Sequence, residues 1–283
     1  MVPVRMLSFQ RPYACRHSGA CCSAGWIEPL DDGRCRHFDA HPSGGCTIQR
    51  VSGHGALPHA CQQFPRVATL SPLGVTVTLS TFCPTAASLL FDDSPFAIET
   101  VDDARSYEGL DAREVMPPVL RPGMLMDWES VARWEELAVA TLSDHRDDVD
   151  RALAIIERAS REVCEVWTPA DGPLIEGLER AFAGAGISGA TASKEHRRDR
   201  RPSPGSTRPD GAAEIPASAS QARFMASHAF ACWPMYDGRG IAGAIDWLVK
   251  ARAALDEERR SHSLAEAFRQ ADLRLRHAVT SPP

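Results

Sequence analysis

At 283 residues the chain can hold one large domain or two ordinary ones, and 43% hydrophobic with 24% charged residues is the balance of a soluble globular protein. A net charge of −6, with Lys194 and Lys250 the only lysines, argues against a broad nucleic-acid-binding surface. No apolar run approaches the length of about 18 residues that a membrane span needs.

In chain order, MVPVRMLSFQRPY has too short an apolar run for a secretory leader, and no small-residue cleavage site follows. A cytoplasmic protein is therefore expected, and there clustered thiols more often bind metal or do redox chemistry than form disulfides. Of nine cysteines, seven (Cys15, Cys21, Cys22, Cys35, Cys46, Cys61 and Cys83) lie in the first 83 residues. Residues 1–92 read as a loop-rich cysteine module, punctuated by Gly and Pro (Pro12, Gly19, Gly25, Pro29, Gly33, Gly44, Gly45). Apolar burial alone orders such a segment poorly, so a metal site would supply what is missing. One regular element is expected there, a hairpin of 66–70 and 75–80 around Ser71-Pro72-Leu73-Gly74. It would bring Cys61 and Cys83 toward one end. A short helix over 84–90 follows, with Pro84 in its first turn.

Residues 93–126 read as an acidic, proline-containing connector, extended on the surface. Apolar spacing then predicts helices over 127–142, 147–167, 174–182, 220–236, 240–258 and 263–279. Between them, 184–220 is rich in Gly, Ser, Pro and Arg and reads as a flexible loop. The expected fold is α+β and mostly α: a cysteine module at 1–92, a connector at 93–126, and an α-helical bundle at 127–283 interrupted by that loop.

Thiolates are soft ligands suited to zinc or to iron–sulfur clusters. The adjacent pair Cys21-Cys22 is unusual for a zinc ribbon, whose paired ligands are spaced apart. Seven cysteines also exceed the four that one tetrahedral ion takes, so some are bystanders or there is more than one site. His17, His37, His41, His54 and His59 lie among them and read as surface or hydrogen-bonding residues. The acid pairs Asp31-Asp32, Asp92-Asp93, Asp102-Asp103 and Asp147-Asp148 read as solvated or capping groups. Trp26 suits either a roof over the thiols or core packing. Trp128, Trp134, Trp167, Trp233 and Trp247 read as core, and Cys164 and Cys232 as buried structural thiols.

The run YACRHSGACC, then CRHF, GGCTIQR, LPHACQQFPR and LSTFCPTAA, resembles the YkgJ-like cysteine-cluster family of zinc- or iron-chelating domains, to which flagellin lysine N-methylases are similar. The resemblance spans residues 9–91, with AFRQADLRLRH a fainter likeness to the methylases' helical part. It departs where many members carry C-x-x-C-x-x-CC, since no cysteine lies within residues 16–20. The resemblance implies a metal ion or cluster held by Cys15, Cys21, Cys22, Cys35, Cys46, Cys61 and Cys83. Through its methylase branch it implies, as the alternative, a protein-lysine N-methyltransferase using S-adenosylmethionine on a protein substrate. The residues themselves supply no Gly-x-Gly-x-x-Gly loop after a strand, and Gly184-Ala185-Gly186 follows a helix. Zinc or iron–sulfur binding, with no nucleic-acid or membrane partner, is the expected function.

Overall fold

The computed structural model describes residues 2–16, 19, 22, 35–39, 45–103, 105–190 and 216–277. A first strand, β1 (Val2–Leu7), buries Val4 and Leu7 completely. Next, β2 (Phe38–Asp39) and β3 (Gly45–Cys46) form a small antiparallel ribbon with Phe38 opposite Cys46. Two short helices follow, α1 (Thr47–Ser52) and α2 (His59–Gln63). The expected hairpin is present as β4 (Arg66–Ser71) and β5 (Gly74–Leu79), and the expected proline-led helix as α3 (Pro84–Ser88).

The stretch read as an extended connector supplies four more strands: β6 (Ile98–Asp103), β7 (Gly109–Asp111), β8 (Val119–Arg121) and β9 (Met124–Leu125). Two of them complete a five-stranded mixed sheet of order β6-β1-β5-β4-β7. In it β1 runs parallel to β5, with Val4 opposite Val75, and antiparallel to β6. The N-terminal third is thus built on a sheet with β1 inside it, where loops around a lone hairpin were expected.

The remaining elements are helical: α4 (Trp128–Asp144), α5 (Val149–Val166), α6 (Leu174–Ala190), α7 (Ala217–Ala229), α8 (Gly240–Glu258) and α9 (Leu264–His277). The fold is therefore α+β and mostly helical. Local chemistry explains the helix starts. Asp127 caps α4 by accepting from the Ser130 amide at 2.7 Å, and Asp148 caps α5 by accepting from Arg151 at 3.0 Å. Along α5 the apolar face Ala152, Ile155, Ile156, Ala159 and Val163 is buried, as its spacing requires. The helix α7 is buried all round from Ala219 to Ala229, which makes it the centre of the bundle.

The predicted helix over 220–236 stops early. Ala231 takes a positive φ of 55°, and its amide donates to the buried Glu135 carboxylate at 3.0 Å. Glu135 is also held by Arg5 of β1 at 2.8 Å. A single helix through 230 would bury that carboxylate with one fewer donor, so the tertiary bond outweighs local helix preference. The loop read over 184–220 is narrower than expected among the described residues, because α6 runs to Ala190 and α7 begins at Ala217. Residues 191–215 lie outside the described residues.

Most of the core belongs to the helices, but Leu7, Phe9, Leu90, Phe96 and Leu120 are buried in the same cluster. Polar bonds fasten the sheet to the bundle. Gln10 Nε2 donates to Ser227 Oγ at 2.9 Å, and Thr81 Oγ1 donates to the Phe268 carbonyl at 3.1 Å. Among the described residues no helix is long and apolar enough to cross a membrane.

Candidate functional site

Five of the seven N-terminal cysteines line one cavity of about 730 Å³: Cys15, Cys22, Cys46, Cys61 and Cys83. Each reaches it by a different piece of local structure. Cys15 follows the short 3₁₀ turn Ser8–Gln10 and is exposed. Cys22 is buried, its amide donating to the Gly19 carbonyl at 2.9 Å. Gly19 has a φ of +72° and sits against Phe38, where a Cβ would come within 2.7 Å of the ring, so only glycine fits this turn. Cys46 ends β3 and stands in extended backbone just before α1. Cys61 lies in α2, whose first turn closes when its amide donates to the Pro58 carbonyl at 2.8 Å. Cys83 immediately precedes α3, and its carbonyl accepts from the Ala87 amide at 2.8 Å. The hairpin thus does what its position in the sequence implies, with Cys61 before β4 and Cys83 after β5 on the same cavity.

The other two cysteines are placed differently. Cys35 is buried beside Cys22, its amide donating to the Cys22 carbonyl at 2.8 Å, and does not line the cavity. Cys21 lies outside the described residues, as do His17, His41, Trp26 and the pair Asp31-Asp32. Of the remaining histidines, His54 lines the cavity. His59 instead pairs at the surface with Glu108 at 2.8 Å, and the His37 carbonyl accepts from the Thr47 amide.

Residues that the sequence did not offer as ligands complete the walls. Leu57, Phe64 and Tyr13 give apolar surface, and the Tyr13 hydroxyl lies 3.7 Å from Cys83 Sγ. Burial pushes the Tyr13 phenol well above its ordinary range, with the Cys83 thiol adding to the effect, so it stays protonated. Arg50, Arg66 and Arg105 also face the cavity. The Arg66 guanidinium lies over the Tyr13 ring, 5.3 Å from its centroid, and burial lowers its pKa. Two of these arginines end cysteine motifs (GGCTIQR and LPHACQQFPR), which was the available signal.

The donor set has the chemistry of a thiophilic metal site: soft sulfur, with no carboxylate among the described lining residues. Among the described residues no three His, Cys, Asp or Glu side chains approach closely enough to hold one ion. A centre here therefore needs ligands from outside the described residues, of which Cys21 is the cysteine, or an inward movement of the lining thiols.

The two distant cysteines have no part in the cavity. Cys232 is buried among the helices, and burial raises its thiol far above the usual range. Cys164 donates to the Leu120 carbonyl at 3.2 Å, and burial pushes its thiol up to about 11. Of the acid pairs, Asp148 caps a helix, Asp92 accepts from Ser94 in a turn, and Asp103 accepts from the Tyr107 hydroxyl at 2.7 Å. Compared with family models, with curated proteins and with solved structures, the chain matches none.

Proposed function

We propose that this protein binds a thiophilic metal, as zinc or an iron–sulfur cluster, in the cavity of its N-terminal third. The observation that carries the reading is the arrival of Cys15, Cys22, Cys46, Cys61 and Cys83 on one cavity from positions spread over nearly seventy residues. Thiols kept for packing alone would be expected to scatter through the core, as Cys164 and Cys232 do. Cys21 and Cys35 belong to the proposed ligand pool by their adjacency to Cys22, in sequence for the first and by a backbone hydrogen bond for the second. Bound here, zinc would hold the surrounding loops together, and a cluster would add electron transfer.

A methyltransferase would need a cleft of the helical body facing the thiols. The described lining runs from Tyr13 to Arg105 and includes no residue of α4 to α9. Metal binding is therefore the reading we carry forward.

The test is the metal content of the full chain beside that of the double variant Cys61→Ser, Cys83→Ser. Both residues flank the hairpin, and neither lies in a long helix. The variant is expected to lose most of its metal while keeping its helical circular dichroism. Metal content equal to that of the unmodified protein would contradict the assignment.

A further inference from the structure

The cavity that gathers the thiols is larger than a metal site requires. A structural ion is closed in by its ligands. About 730 Å³ instead falls in the range of pockets that take small molecules, roughly 300–1,000 Å³. Its walls combine apolar surface from Leu57, Phe64 and Tyr13 with three guanidinium groups, and no carboxylate is among the described lining residues.

The three arginines are not equivalent. Arg50 is half exposed and paired with Asp39 at 2.8 Å, and Arg105 is exposed beside Asp103 at 3.5 Å. The Arg66 guanidinium makes no hydrogen bond or ion pair with any described residue, although it is half-buried at the start of β4 and stacked on Tyr13; the Asp103 carboxylate acts on it only through its charge. A guanidinium taken partly out of water with no carboxylate paired directly to it is costly, and its planar fork of donors fits a carboxylate or phosphate in two-point contact.

We propose that the cavity takes a small organic oxyanion, a carboxylate or phosphate ester with an apolar body, with Arg66 receiving the charged end and Tyr13, Leu57 and Phe64 the apolar part. This deepens the metal-binding reading, since ligand and metal would share one cavity, but it stands on the arginines and the volume and not on the thiols. The competing role for Arg66 is to offset the charge of thiolates alone, and the two roles separate experimentally.

The experiment is saturation-transfer NMR and equilibrium dialysis on the full chain as purified, with metal counted in the same samples. Four probes share a benzene ring: benzoate, phenyl phosphate, benzyl alcohol and benzylamine. The proposal predicts that at least one anion binds about ten-fold or more tightly than the alcohol or the amine, and the tighter of the two anions names the ligand class. It predicts a similar loss in Arg66→Gln at unchanged metal content, with Arg66→Lys in between. No anion binding to metal-loaded protein, equal binding of benzylamine, or undiminished binding by Arg66→Gln would overturn it. If the Arg66 variants do not fold, the preference among the four probes in the unmodified protein decides. Anion selectivity in protein that holds no metal would contradict the metal reading and leave this one standing.

Discussion

His228 shows how strongly position decides the state of a side chain. It is buried on α7, packed between Phe224 and Trp247 with its ring steeply inclined to both, and neither ring nitrogen has a hydrogen-bond partner among the described residues. Burial, assisted by the Arg276 charge and opposed by Asp272, brings its pKa from 6.5 down to about 3. It is therefore neutral in the folded protein, 3.5 Å from a carboxylate that Arg276 already holds at 2.8 Å. The unfolded chain protonates this histidine more readily than the native one. Its contribution to stability is complete above about pH 6.5 and is lost as pH falls toward 3. Between about pH 8 and pH 5 the loss from this residue is about 2 kcal/mol. Urea denaturation of His228→Leu should show a flatter dependence on pH over that window, whatever its absolute stability. An unaltered slope would contradict a neutral buried histidine. Asp272 links this region to the thiols, because it accepts from the Ser80 hydroxyl and from the Phe82 amide at 3.3 Å, just before Cys83.

Among the elements, α8 shows a constraint that no periodicity contains. Its first residue, Gly240, has a φ of +57°, and a Cβ there would overlap the Val119 carbonyl of β8. Gly240→Ala should cost about 3 kcal/mol or more by combining backbone strain with overpacking. Chemical denaturation checks this, and a change below about 1 kcal/mol would show that β8 moves aside easily. The sequence predicted the extent of α8 correctly because its pattern is local. The hairpin was legible for the same reason, with two β-rich runs around Pro72 and Gly74. The strand β1 was not legible, because VPVRML carries Pro3 and its partners in β5 and β6 lie far along the chain. The early end of α7 was hidden too, since it depends on Glu135 reaching the Ala231 amide across 96 residues. At the candidate site the cysteines stood out by their crowding. Arg66 did not, because its place at the end of LPHACQQFPR is a weak mark among 31 Lys and Arg and does not show that it stacks on Tyr13 beside the thiols.

At the scale of the whole molecule, the shared core orders the helices and thins toward the cysteine segments. The helices share a continuous buried core that also takes in Leu7, Phe9, Leu90 and Phe96 from the N-terminal third. The segments that carry Cys15, Cys46 and Cys61 have little of this support: α1 and α2 bury no residue, and Val51 is 80% exposed. A metal centre would provide the missing order by tying these segments to Cys83, which is anchored through β5 and α3 to the bundle. The most direct measurement is the metal and acid-labile sulfide content of the full chain purified without air, together with its absorption spectrum. Stoichiometric zinc without sulfide, or iron with sulfide and a thiolate-to-iron absorption band, is the predicted result. Protein that is folded, fully reduced and free of both metals would contradict the account.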